Sequence, residues 1–243
     1  MTSRKRYVST TAFRSVLRKG QRLEWPILIM VLLVTAAAWA FAELADEVME
    51  GDASGFDEAV LLALRSPTDP AVPLGPRWLQ ETMRDFTALG GMAVLTMITI
   101  AVAGYLVLTR KSRAALDVCV AIGTGILLSS LLKYGFDRPR PDLVPHGSYV
   151  YTTSFPSGHS MMSAVVYLTL GALIARVESG MRIKAYVLSV AVFLTVLIGV
   201  SRVYLGVHWP TDVLAGWVVG AAWALVWWAI TLWLQRQGQV ESE

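Results

Sequence analysis

Charge is scarce in this sequence. Asp, Glu, Lys and Arg make up 16% of the 243 residues, against about a quarter in an ordinary soluble domain. Apolar residues make up 55%, and the mean hydropathy is +0.53. A water-soluble globule is therefore excluded, and one compact membrane-embedded bundle is expected. Cysteine is almost absent. The single Cys119 rules out an intramolecular disulfide, and its apolar surroundings suggest a small buried hydrophobe. Histidine is nearly as rare, with only His146, His159 and His208. No His/Cys ligand cluster exists, and no internal repeat is visible. No cleaved leader is expected either. The first apolar run is too long, and no clear small-residue cleavage site follows it.

What the sequence does have is long apolar runs separated by short polar turns. Residues 1–24 carry Arg4, Lys5, Arg6, Arg14, Arg18, Lys19 and Arg22. Such a run suits a cytoplasmic anchor in front of a span better than a nucleic-acid site. Six spans are expected: Trp25–Ala42, Leu89–Thr109, Ala114–Leu132, His159–Ala175, Ala185–Val200 and Val213–Leu234. Gly90-Gly91, Gly104, Gly123 and Gly125 are candidate points of close helix approach. Residues 43–87 break the pattern with clustered acids and prolines. Inside them, Phe56, Val60, Leu61 and Leu64, then Leu79, Met83 and Phe86, recur at helical spacing. Two short amphipathic helices on the membrane or on the bundle are expected there. The fold class is thus all-α, a six-span bundle with an extracytoplasmic amphipathic insert at 43–87. The bundle occupies 25–234, and a polar, disordered cytoplasmic tail covers 235–243.

Six spans put both termini on one side. The N-terminus, the 110–113 turn, the 176–184 loop and the tail hold most of the 21 Lys and Arg, which places that side in the cytoplasm. The opposite, extracytoplasmic face then receives three polar stretches. The first, Lys133 to Pro141 (KYGFDRPRP), packs Lys133, Arg138 and Arg140 between stiffening prolines. Arginine offers a planar donor fork for phosphate oxygens, and lysine a compact charge. A lone Lys at a span end, however, ordinarily only snorkels to the interface. The second, Pro156-Ser157-Gly158-His159, reads as a helix start, with Ser157 as N-cap and Gly158 admitting close approach of a ligand. Helix starts attract anions, although a plain capped helix explains the same four residues. The third, Ser201 to Asp212, holds Arg202, His208 and Asp212. A carboxylate four residues after an imidazole can fix its tautomer and free the other nitrogen. Alternatively, Asp212 only complements the helix dipole, or His159, His208 and Asp212 hold a metal, which the surrounding cations disfavour. His146 has no partner at a recognisable spacing and is expected to be solvated and nonessential. Asp117, inside a span near its cytoplasmic end, is ascribed to local packing.

Together, Lys133-x6-Arg140-Pro141, PSGH at 156–159 and Ser201-Arg202-x5-His208-x3-Asp212 resemble the three-part signature of the type 2 phosphatidic acid phosphatase superfamily, in its bacterial-like membrane branch. The resemblance implies a metal-independent, cofactor-free hydrolase of lipid phosphates. In it His208 is the nucleophile that becomes phosphohistidine, Asp212 its orienter and His159 the general acid. Lys133, Arg140, Ser157, Gly158 and Arg202 would bind the phosphate. Phosphatidic acid, phosphatidylglycerophosphate and undecaprenyl pyrophosphate are the substrate candidates, with the lipid bilayer as partner and no nucleic acid. A bacterial inner or plasma membrane is the expected location, and the oligomeric state is open. A phosphotransferase would use the same residues. A non-catalytic lipid-binding or transport protein is the remaining alternative, disfavoured because every motif residue is present. The vanadate-dependent haloperoxidases share the signature but are soluble.

Overall fold

A computed structural model describes residues 10–149 and 152–236. Residues 237–243 of the expected 235–243 tail and the basic cluster Arg4-Lys5-Arg6 lie outside the described residues, and Gln235 and Arg236 continue the last helix rather than beginning the tail. In chain order the elements are α1 (Thr10–Glu50), α2 (Ser54–Ala63), a hairpin of β1 (Arg65–Ser66) and β2 (Asp69–Pro73), α3 (Arg77–Ala88), α4 (Met92–Leu108), α5 (Ser112–Gly135), α6 (Gly158–Ser163), a π-helical turn (Ala164–Leu168), α7 (Thr169–Val177), α8 (Met181–Tyr204) and α9 (Pro210–Arg236).

Among the described residues, five helical stretches are long and apolar enough to cross a bilayer: 27–50, α5, the continuous run 158–177, α8 and α9. Alone, α4 has 17 residues, about 26 Å at 1.5 Å per residue, slightly short of a hydrocarbon core. Taken with α3, from which it bends by 48°, it is long and apolar enough to be the sixth candidate span. The bend falls at Gly90-Gly91. A Cβ on Gly90 would lie 2.4 Å from Ile198 Cγ2, so this glycine admits α8 against the bend. Gly125 likewise admits Val165 and Trp223. Gly104 and Gly123 meet nothing within 4 Å, so they are not the helix contacts the sequence suggested. They face outward, where a small residue has no packing partner to serve.

The first span does not stop at Ala42; α1 continues through Glu43, Asp46 and Glu47 to Glu50. Intrahelical hydrogen bonds continue past the apolar run because acidic side chains are compatible with a helix that leaves the membrane. Cys119 is exposed rather than buried. In a bilayer an outward-facing apolar side chain meets lipid, so hydrophobic surroundings in sequence do not require burial. The insert holds the two expected helices, α2 and α3, plus a hairpin that the proline-rich sequence concealed.

The insert is seated on the bundle. Leu61 packs with Val144, Val203 and Val213, flanked by Val60, Leu64, Trp209 and Trp217. Leu79 and Met83 of α3 cover Tyr204, Leu205 and Val207. Buried Arg65 donates to the Tyr204 carbonyl at 3.0 Å, and the Tyr204 hydroxyl donates to the Leu74 carbonyl at 2.7 Å. On the other flank Phe41 of α1 stacks on Phe155 (centroids 5.8 Å), which meets Phe136 edge-on at 4.9 Å. These contacts fix the long 136–157 connection at both ends.

Within the spans, several polar groups find internal partners, as a medium without water favours. Trp217 and Trp223 donate to the carbonyls of Thr195 and Ala121, each at 3.0 Å. The Thr231 hydroxyl lies 2.6 Å from the Asp117 carboxylate, which accounts for this intramembrane acid by packing, as expected.

Candidate active site

The three polar stretches meet at one end of the bundle. Lys133 ends α5, Arg202 lies in the last turn of α8, and His159 lies in the first turn of α6. His208 sits just before α9, and Asp212 in its first turn. Lys133, Arg140, Gly158, His159, Arg202 and His208 line a single cavity of roughly 400 Å³. Met92, Ile126 and Met162 supply its apolar wall. A more open hollow of about 830 Å³, lined by Arg84, Thr87, Ser148 and Tyr149, adjoins it across His159.

Two expected site residues do not line this cavity. Ser157 is fully buried and accepts the Ser160 N–H at 3.5 Å, so its hydroxyl serves as the helix cap. Its own N–H donates to the Asp212 carbonyl at 2.9 Å, which ties the start of α6 to the start of α9. Asp212 lies one layer back, also fully buried. Close contact between the two helices depends on Gly216 and Gly220. A Cβ on either would lie 2.7 Å from the Ser157 carbonyl oxygen or 2.4 Å from that of Met161.

His208 is held at both nitrogens. Its Nδ1 lies 3.2 Å from Asp212 Oδ2, and its Nε2 lies 3.1 Å from Arg140 Nη1. Arginine can only donate, so Nε2 carries the lone pair and Nδ1 carries the proton given to Asp212. Burial pulls the His208 pKa down to about 3. Arg202 and Arg140 push the same way, against the hydrogen bond and charge of Asp212. The imidazole is therefore neutral at neutral pH. Arg140 is itself lowered, by burial first, and donates to the carbonyls of Val207 (2.5 Å) and Thr152 (2.8 Å). Lys133 Nζ donates to the Thr153 carbonyl at 3.0 Å. Arg202 donates through Nη1 to Thr87 at 2.9 Å, and its Nε has no partner among the described residues.

Sequence reasoning missed several members of this site. Ser154 donates to Asp212 Oδ2, as does the Trp209 N–H at 2.9 Å. Arg138, counted only as part of the local charge density, donates to Asp212 Oδ1 at 2.7 Å. It also reaches Asp57 Oδ2 at 2.6 Å. Asp57 had one available signal: it shares a helical face with Leu61 and Leu64, a carboxylate in an otherwise buried stripe. Ser154 and Thr87 had none. His146 is exposed, as expected, although its Nε2 lies 2.7 Å from the Pro141 carbonyl.

The model of the PAP2 superfamily matches residues 114–236. Phosphatidylglycerophosphatase B of Bacillus subtilis is 37% identical over 165 residues, covering 67% of this chain and 80% of its own. The chain belongs to the PAP2 superfamily. An undecaprenyl-diphosphatase of Sulfolobus acidocaldarius is 28% identical over 121 residues, which cover 48% of this chain and 54% of that one. Among solved structures, a transmembrane PAP2-type phosphatidylglycerolphosphate phosphatase from Bacillus subtilis superposes with a TM-score of 0.74 at 30% identity. The match covers 84% of this chain and 98% of that one. The all-α membrane bundle read from the sequence is thus the architecture of a solved PAP2 membrane enzyme, and this chain is an integral membrane protein.

Proposed function

We infer that this chain hydrolyses the phosphate monoester or diphosphate of a membrane lipid, with His208 as nucleophile. The observation that carries this reading is the meeting of three cations, Lys133, Arg140 and Arg202, with two imidazoles on one cavity that has an apolar wall. Cations and wall suit the two parts of a lipid phosphate. Related proteins named phosphatidylglycerophosphatase B and undecaprenyl-diphosphatase support that substrate class.

In the proposed reaction the three cations hold the non-bridging oxygens, and the positive charges stand where negative charge spreads in the transition state. Gly158 leaves room for that group beside the Lys133 stem; a Cβ there would lie 3.3 Å from Lys133 Cε. The neutral Nε2 of His208 attacks phosphorus. As the N–P bond forms, the bond from phosphorus to the leaving oxygen breaks, and His159 gives that oxygen its proton. The incoming phosphate supplies the negative charge that favours a protonated His159. In the second step His159 takes a proton from water, the water oxygen bonds phosphorus, and the N–P bond breaks. Asp212 holds the Nδ1 proton throughout and balances the positive charge on the ring. A general acid so placed contributes roughly 10²–10⁴-fold. Ser157 acts by capping and tethering α6, and so supports His159 indirectly.

The sidedness belongs to the same proposal. The basic turns lie at the end of the bundle away from the cavity, so the positive-inside rule puts the termini in the cytoplasm and the cavity on the outer face. The test is phosphate release by purified protein in detergent from phosphatidic acid, phosphatidylglycerophosphate and undecaprenyl pyrophosphate. His208→Ala is expected to be inactive on every substrate while melting near wild type. Wild-type turnover by that variant would overturn the assignment.

A further inference from the structure

Among the described residues only two carboxylates are wholly buried: Asp212, and Asp57 of the insert. The proposed chemistry uses the first and leaves the second unexplained. Asp57 lies outside the 114–236 stretch that the family model matches. Nonetheless it is joined to Asp212 through a single guanidinium. Arg138 Nη2 donates to Asp57 Oδ2 at 2.6 Å, and Nη1 donates to Asp212 Oδ1 at 2.7 Å. Thr211 closes the arrangement. Its N–H donates to Asp57 Oδ1 at 2.9 Å, its hydroxyl donates to Asp57 Oδ2 at 2.6 Å, and it accepts Arg138 Nη1 at 2.7 Å. Arg138 also lies over the Trp209 ring, 5.6 Å from its centroid.

We propose that Asp57 and Arg138 are positioning residues that hold the Asp212–His208 pair in its working geometry and charge state. This rests on His208 being the nucleophile and Asp212 its orienter. Arg138 pins Oδ1 of Asp212, which leaves Oδ2 directed at His208 Nδ1. A lone arginine at that distance would also neutralise the carboxylate that must balance the phosphohistidine cation. Asp57 removes this conflict. Two carboxylates around one guanidinium leave a net negative charge beside His208, a ring otherwise faced by Arg140, Arg202 and His159. The fork geometry matters as well: a lysine has one nitrogen and cannot hold both carboxylates in a fixed plane. The insert is thereby given a part in the reaction, because α2 carries Asp57 to the site.

The test uses the full chain in detergent micelles, with phosphatidic acid as substrate and inorganic phosphate as competing ligand. Asp57→Asn and Arg138→Lys are each expected to lower kcat by about tenfold or more, by analogy with the loss of outer hydrogen-bond partners of metal-bound histidines. KM and the inhibition constant for phosphate are expected to stay within about twofold, because Lys133, Arg140 and Arg202 are untouched. The double variant is expected to lose no more than the worse single one, the non-additivity of residues acting through one chain of bonds. Unchanged kcat in both single variants overturns the proposal, as do additive losses. Phosphate inhibition that weakens in step with kcat, or failure of both variants to fold, shows a structural role only and overturns it too. His208→Ala, run in parallel, separates the two readings. If it is active, the nucleophile assignment fails and this inference with it. If it is inactive while Asp57→Asn and Arg138→Lys are both unaffected, only this inference fails.

Discussion

The bond between Arg140 and His208 sets the tautomer of the candidate nucleophile, while burial keeps the ring neutral. At 3.1 Å the guanidinium occupies the lone pair of Nε2 until a substrate displaces it. Protonation would remove that lone pair, so activity falls as pH drops through the His208 pKa. With that pKa lowered to about 3, the acidic limb of kcat/KM is not expected to reflect His208 anywhere near its ordinary 6.5. Arg140→Gln removes one of the cations that lower the value. The His208 pKa then rises, and a pH–rate profile is expected to show its acidic limb moved upward, together with a raised KM. A limb that stays in place would show that Arg140 does not act on His208. Arg138 belongs to the same scale. Arg138→Met leaves Asp57 and Asp212 without their shared cation. Breaking a buried ion pair in this way costs about 3–5 kcal/mol, and a large drop in melting temperature is expected.

At the scale of elements, the contact of α6 with α9 positions both histidines. Gly216 and Gly220 let α9 lie directly on the backbone of Ser157 and Met161, so that the Ser157 N–H reaches the Asp212 carbonyl. Gly220→Val must push the helices apart, since the obstacle is backbone that cannot rotate away. Overpacking of this kind costs about 1–3 kcal/mol. Thermal unfolding is expected to shift down, and kcat to fall, because His159 and His208 separate with their helices. Gly104→Val is the control. That position faces open space, so the melting temperature in detergent is expected to hold. The insert also acts as an element. Its composition is acidic and proline-rich, yet Leu61, Arg65 and Asp57 are all buried against the bundle.

For the whole molecule, the prediction concerns sidedness. With Cys119 replaced by serine, a cysteine at exposed Thr68 in the hairpin is expected to react with a membrane-impermeant maleimide in intact cells. A cysteine at exposed Arg182 is expected to react only after lysis. The opposite pattern would reverse the proposed topology. Activity is expected to persist in excess chelator, and its loss would contradict a mechanism built on histidine and cations alone.

The sequence by itself determined the membrane bundle, because long apolar runs interrupted by charge leave a chain few other places to go. It also marked the residues around the cavity, because Lys133, Arg140, His159, Arg202 and His208 stand at span ends, where a polar group requires a reason. Ser157 was legible as a helix cap for the same local cause. The tertiary structure decided everything that depends on contacts between distant segments. Sequence spacing carries no sign that Ser154 faces Asp212, that Gly216 rather than Gly123 is a contact point, or that Cys119 faces outward. Nor does it show that Asp57, more than eighty residues from Arg138, completes a buried chain of charges. Spacing reports one helix face at a time, and Asp57, Arg138 and Asp212 meet only when α2, the 136–157 connection and α9 are packed together.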